Sequence, residues 1–177
     1  MEAGGESIGV VGVTTEELAD ISAISGVKIL PALEKTQAEI DRLQAKGINK
    51  IIVLAHLQQL RLELQLASQL QGADIILAGG SDSLLAKATD RLRSGDTRKG
   101  DYPLRVNGKD GSPVLVVNTS REYTYLGRLL VSFDEQGVLT GVSDKTGIIA
   151  TDANMPAEFS STPVPENIQA ELAKIKS

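Results

Sequence analysis

Residues 50–80 read KIIVLAHLQQLRLELQLASQLQGADIILAGG, and this stretch decides the fold. Its first part, Lys50–Ala55, is a short apolar run rich in β-branched residues, which predicts a buried strand. Leu57–Leu70 places leucines at helical spacing, and Ala73–Ala78 is a second short apolar run that ends in two glycines. The order strand, helix, strand predicts a right-handed crossover between parallel strands.

The same alternation extends toward the N-terminus. Ser7–Val13 (SIGVVGV) predicts another buried strand, and Ala32–Lys46 has helical apolar spacing with Gly47 as a C-terminal cap. The first half of the chain therefore predicts an α/β fold with a parallel βαβαβ sheet. Because the apolar residues are continuous within each strand, we expect both faces of this sheet to be covered.

The second half of the chain has a different pattern. Asp82–Gly111 is polar and charged with several turn signals, which predicts a long excursion with little regular structure. Pro113–Thr119, Tyr125–Asp134 and Val138–Val142 are closely spaced apolar runs. Their spacing predicts three strands of an antiparallel meander.

The domain boundary is placed after residue 145. Residues 7–145 are expected to form one α/β unit, and residues 146–177 a Pro-containing linker that ends in a helix. The predicted terminal helix, Pro165–Lys176, has isoleucine and leucine at helical spacing and a proline near its start.

Composition excludes several classes of function. The chain has 177 residues, with 23 acidic against 18 basic side chains and a net charge of −5, which disfavours binding to a nucleic acid polymer or an anionic membrane surface. It has no cysteine, which excludes disulfides, zinc–thiolate sites and thiol catalysis. No apolar run is long enough for a membrane span.

The strand ends locate a candidate site, because ligands of open parallel sheets bind outside the carboxyl ends of the strands. His56, the single histidine, directly follows one strand, and the turn Gly79-Gly80-Ser81-Asp82 follows the next. Imidazole and carboxylate groups bind divalent metals. Two plainer interpretations stay open: His56 caps the next helix or packs at the strand end, and the turn is only a tight turn.

Basic residues in the long excursion form a second candidate feature. They are either a solvated loop surface or a loop that faces phosphate. The residues are Arg91, Arg93, Arg98, Lys99 and Arg105. Asn118 and Arg121, which come just after a predicted strand, are candidates to face the same cleft as His56.

The order of these segments resembles a known family. The segments are IGVVGVTT (8–15), GINKIIVLAH (47–56), GADIILAGGSDS (72–83) and PVLVVNTSREYTYLGRLLVSFDEQG (113–137). They resemble the C-terminal half of the catalytic domain of the bifunctional metallophosphatase/5′-nucleotidase family, within the calcineurin-like metallophosphoesterases, in its cyanobacterial-type variant. The resemblance covers residues 7–143.

The resemblance implies both a fold and a chemistry. The fold is a four-layer α/β/β/α sandwich, of which this chain would be one half. The chemistry is hydrolysis of small-molecule phosphate esters, nucleotides or related monoesters, by water activated on two divalent metal ions such as Mn, Zn or Ca. The intact protein would be periplasmic or extracellular.

The resemblance also implies roles for individual residues. His56 matches the family's metal-binding histidine that follows a strand, and Asp82 falls in the turn where the family has two histidines. The residues expected to contact substrate are Gly79, Gly80, Ser81 and Arg91. Both histidines of that turn are missing, as are the family's Asp-x-His, Gly-Asp and Asn-His-Asp/Glu motifs.

We therefore expect part of a phosphoesterase that is inactive by itself. A half-sandwich would leave apolar sheet surface open, which predicts self-association or pairing with the missing N-terminal half. The alternative is a non-catalytic α/β module, derived from this family, that binds a small ligand or a partner.

Overall fold

The structure, a computed structural model, describes residues 1–152 and 154–156. Its helices are α1 (Leu18–Ile21), α2 (Ala32–Gln44) and α3 (Leu60–Gln69). Its strands are β1 (Glu2–Ala3), β2 (Glu6–Ser7), β3 (Gly9–Thr14), β4 (Ile51–His56), β5 (Ile75–Ala78), β6 (Leu104–Asn107), β7 (Pro113–Val117), β8 (Tyr125–Arg128), β9 (Val131–Phe133), β10 (Leu139–Val142) and β11 (Gly147–Ala150). None of the described helices is long and apolar enough to cross a bilayer.

A five-stranded sheet in the order β3-β4-β5-β7-β6 forms the centre of the fold. The first four strands are parallel, and β6 pairs antiparallel to β7 at one edge. Strand β7, predicted as the first strand of the antiparallel meander, is therefore part of the parallel sheet. Helix α2 connects β3 to β4, and α3 connects β4 to β5, which confirms the predicted α/β class and the βαβαβ order.

Both long helices pack on the same face of this sheet. On that face, Val11, Val53 and Ile76 lie side by side in register across β3, β4 and β5. They belong to one buried cluster that also contains Ile40 of α2 and Leu66 of α3. This cluster is the main core, because it has the most buried members of the three apolar clusters among the described residues.

The opposite face of the sheet is only partly covered, so the expectation of two covered faces is wrong. Near the start of the strands, Ile75 packs beneath the β9–β10 hairpin. Farther along, Val10, Leu54 and Leu77 are 43%, 46% and 41% exposed. These three residues, called the apolar patch below, are uncovered because both long helices lie on the other face.

The predicted strand Tyr125–Asp134 is wrong as a single element. It is divided into β8, which pairs with β11, and β9, which pairs with β10. At the break, the Leu130 N–H donates to Thr146 Oγ1 at 2.9 Å, and its carbonyl accepts the Thr146 hydroxyl at 3.2 Å and the backbone N–H of Ser143 at 2.9 Å. A side chain thus satisfies the backbone N–H that a neighbouring strand would otherwise pair.

Two further segments differ from the sequence prediction. The excursion 82–111 contains strand β6, and its Leu84–Ala86 segment is buried in a second core cluster with Tyr102 and Tyr125. Strand β11 lies where the linker 146–177 was expected to begin, and it pairs with β8 in a separate two-stranded sheet. The predicted helix Pro165–Lys176 lies outside the described residues.

One buried carboxylate makes the stability of the fold depend on pH. Asp74 precedes β5, and its Oδ2 accepts the backbone N–H of Ile51 at 2.7 Å. Burial raises the pKa of Asp74 to about 6, although this hydrogen bond and the charge of Lys50 act in the opposite direction. The folded state therefore keeps a proton between about pH 4 and 6 that the unfolded chain has released.

Asp74→Asn is expected to stabilise the protein at pH 8 by about 2 kcal/mol, after allowance for partial exposure. The variant removes the unfavourable burial of a charge, and its side-chain carbonyl still accepts from Ile51. The advantage should shrink as the pH falls from 6 to 4, because wild-type Asp74 becomes protonated there. Urea unfolding at several pH values measures this difference, and an advantage that grows toward acid pH would contradict it.

Candidate functional site

A cleft of about 520 Å³ opens at the carboxyl ends of the parallel strands. Three segments line most of it: His56 at the end of β4, the turn 79–82 after β5, and the loop 119–123 after β7. The structure thus brings together His56, the turn and Arg121, as the strand-end rule predicts. Arg91 is not among the residues that line this cleft.

His56 presents its ring to solvent at the end of the central sheet. It is the last residue of β4, lies in register with Thr14 of β3, and is exposed. Within the part of the chain that the structure describes, its ring has no hydrogen-bond partner. The imidazole is therefore accessible to a ligand and is not packed in the core.

Gly80 allows the turn to lie directly against the backbone that follows His56. A Cβ atom at this position would be 2.4 Å from the Gln58 nitrogen and 2.8 Å from the Leu57 nitrogen. The neighbouring Gly79 donates its N–H to the carbonyl of Ala55 at 2.7 Å, which fixes the start of the turn. The two strand ends are consequently held close together.

Glu63, on α3, binds the backbone that follows His56. It is completely buried, and its Oε1 accepts the N–H of Leu57 at 3.2 Å. Burial raises the pKa of Glu63, while hydrogen bonds from the Leu57 and Gly80 backbones and the charge of His56 act to lower it. Glu63 was not among the residues predicted from the sequence, although an acidic side chain on the leucine-rich face of a helix was a usable signal.

Asn118 joins the turn to the loop. It is buried, and its Nδ2 donates to the carbonyl and the hydroxyl oxygen of Ser81 at 3.2 and 3.1 Å. Its Oδ1 accepts the N–H of Ser120 at 2.7 Å. Since the Ser81 oxygen accepts from Asn118, the Ser81 hydroxyl proton is available to a ligand.

Asp82 and Arg121 form an ion pair at the mouth of the cleft. Arg121 Nη1 lies 2.9 Å from Asp82 Oδ2, and the two side chains are 65% and 61% exposed. An ion pair this exposed adds little to folding stability. The ion pair affects metal binding, because the carboxylate that the sequence predicts as a metal ligand already has a cationic partner.

The loop 119–123 has an unusual backbone. Ser120, Glu122 and Tyr123 have φ values of +66°, +59° and +55°, in the left-handed region that disfavours residues with a Cβ. The hydroxyl of Thr151 donates to the Tyr123 carbonyl and helps to hold this conformation. Strain of this kind is concentrated at functional sites, which agrees with the position of the loop on the cleft.

Arg91 is occupied elsewhere. Its two terminal nitrogens donate to both carboxylate oxygens of Asp152 at 2.9 and 2.8 Å. This contact lowers the pKa of Asp152 to about 2. The predicted contact of Arg91 with substrate therefore has no support in the geometry of the cleft.

The cleft does not fit a two-metal centre by itself. The described residues contain no cluster of three or more histidine, aspartate or glutamate side chains that could hold a metal ion. The imidazole of His56 and the carboxylates of Asp82 and Glu122 line the cleft, and Asp82 is paired with Arg121. Divalent ions usually need four or more ligands.

Comparison with known proteins identifies the family, although no family model matches the chain. The bovine (Bos taurus) 5′-nucleotidase is 32% identical over 173 residues, which are 97% of this chain and 28% of that protein. The human 5′-nucleotidase is 31% identical over 97% of this chain. This chain belongs to the 5′-nucleotidase family. It spans about 28% of the length of these curated relatives.

Solved structures agree with this assignment. A 5′-nucleotidase precursor from Thermus thermophilus superposes with a TM-score of 0.75 at 32% identity, over 98% of this chain and 32% of that one. The NAD nucleotidase of Haemophilus influenzae shares the fold, with a TM-score of 0.73 at 24% identity. The chain thus has the fold of about a third of a 5′-nucleotidase, as the sequence resemblance implied.

Proposed function

We propose that this chain forms the phosphate-binding side of an active site that hydrolyses nucleotides or related phosphate monoesters. The observation that carries the proposal is the cleft at the strand ends. The proposal is supported by the 32% identity of this chain, over 97% of its length, to a 5′-nucleotidase. The hydroxyl of Ser81 lines this cleft and can donate to a phosphate oxygen. The backbone N–H groups of Gly79 and Gly80 are bound to Ala55 and Glu63, so these two glycines serve the close packing of the turn.

We also propose His56 as one ligand of a divalent metal ion, such as Mn, Zn or Ca, with further donors from outside this chain. Its exposed imidazole at the strand end supports this role. Asp82 could join it only by sharing its carboxylate between Arg121 and the metal. When bound, such an ion would polarise the phosphoryl oxygens.

A non-catalytic binding module is the second candidate. The apolar patch of Val10, Leu54 and Leu77 favours it, because an exposed apolar sheet surface is suited to contact with another protein surface. That surface would belong to a second copy of the chain or to a segment outside it. The two candidates differ in whether phosphate is released from a nucleotide.

The test measures phosphate release from AMP with Mn²⁺, for the 177-residue chain and for a longer family protein that includes this sequence. We expect turnover in the longer protein only, and His56→Ala should lower its kcat/KM by about 100-fold or more. Arg91→Gln is the control and should leave kcat/KM unchanged, since Arg91 is bound to Asp152. Full activity in His56→Ala would refute the assignment of His56.

A further inference from the structure

We infer that Arg121 is the phosphate-binding cation of this cleft, and that its guanidinium takes the place of a metal ion at the Gly79–Asp82 turn. The inference rests on the proposed function, because it assumes that the cleft receives a phosphate ester. It adds a residue for which the family resemblance gave no role. It also changes the expected chemistry of the turn from metal binding to direct anion binding.

The guanidinium of Arg121 is largely available to a ligand. Its side chain is 65% exposed on the cleft, and among the described residues its one hydrogen bond runs from Nη1 to Asp82. Arginine has five N–H donors in a planar fork that matches two oxygens of a phosphate. Asp82 thus orients the group and leaves most of its donors free.

The loop holds the backbone of Arg121 in a fixed place. The carbonyl of Arg121 accepts both the hydroxyl of Thr124, at 2.8 Å, and its N–H, at 3.3 Å. Ser120, on the other side, is bound through its N–H to buried Asn118 and through its hydroxyl to the carbonyl of Asp82. The backbone that carries the guanidinium is therefore held in one conformation by hydrogen bonds. This reduces the backbone entropy that is lost when Arg121 binds an anion.

A metal ion on Asp82 would have to share the carboxylate with Arg121. Arg121 Nη1 lies 2.9 Å from Asp82 Oδ2, which leaves the other carboxylate oxygen for a metal. Two cations on one carboxylate repel each other, so the ion pair disfavours metal binding at this position. Since the turn carries Ser81 and no histidine, the guanidinium is the positive charge that the turn already has.

The test measures binding of inorganic phosphate to the 177-residue chain by calorimetry, with EDTA present throughout. We expect wild type to bind without metal, and Arg121→Gln to weaken binding at least tenfold. Arg91→Gln, a change at an exposed arginine outside the cleft, should have no effect. Asp82→Asn should bind phosphate as well as wild type or more tightly, because it frees the guanidinium.

A metal site at the turn predicts the opposite pattern. Phosphate would then bind only after Mn²⁺ is added, and Asp82→Asn would abolish binding. Either result overturns the inference, as does a failure to bind phosphate under both conditions. The outcome is independent of catalysis: phosphate binding through Arg121 without AMP hydrolysis by the longer protein would overturn the proposed function alone.

Discussion

Gly80→Ala is expected to lower the free energy of unfolding by about 3 kcal/mol. The added Cβ would lie 2.4 Å from the Gln58 nitrogen, 2.8 Å from the Leu57 nitrogen and 3.0 Å from the His56 carbonyl carbon. These are backbone atoms, so they cannot rotate away as a side chain would. The turn must therefore move away from β4 and open the cleft.

Gly12→Ala is the matched control for this prediction. Gly12 lies on the exposed face of β3, and a Cβ there would meet nothing within 4 Å. We expect a small gain in stability, because alanine loses less backbone entropy on folding. Urea unfolding of the two variants measures the contrast, and equal free energies of unfolding would disprove the close approach of the turn. The NMR signal of the sole histidine should also shift in Gly80→Ala.

Ile76→Ala is expected to lower the free energy of unfolding by about 3–4 kcal/mol. Ile76 is fully buried in β5, the central strand, and shares a core cluster with Ile40 and Leu66 of the two long helices. The substitution removes apolar burial and leaves a cavity that rigid strands on both sides cannot fill.

Leu77→Ala, one residue along the same strand, should lower the free energy of unfolding by about 1 kcal/mol or less, since Leu77 is 41% exposed. The comparison is best made by urea unfolding at low protein concentration. Similar losses in the two variants would show that the face bearing Leu77 is covered in solution. An effect of Leu77→Ala that grows with concentration would indicate self-association through the apolar patch.

The central fold was predictable because its signals are local. Apolar runs and leucine spacing are read within a few residues, and they predicted β3, β4, β5 and both long helices. The division of Tyr125–Asp134 was not predictable in this way. It involves contacts of Leu130 with the Ser143 backbone and with the hydroxyl of Thr146, which lies 16 residues beyond Leu130 in the chain. Local patterns carry no information about such a contact.

The site was predictable in position and only partly in chemistry. The strand-end rule placed His56 beside the Gly79–Asp82 turn, and the structure agrees. The positive charge of Arg91 alone could not show whether it contacts substrate, because the sequence does not show that Asp152 neutralises it. Nor did the sequence show that Arg121 pairs with Asp82, since 39 residues separate them.

The apolar patch also has a meaning for the fate of the chain inside a cell. Val10, Leu54 and Leu77 lie on one face of an ordered sheet, yet to a chaperone or a protease they would present the apolar surface of an incompletely folded protein. A surface that covers the patch would remove that signal. Cellular abundance would then depend on whether the patch is covered, through quality control rather than through catalysis.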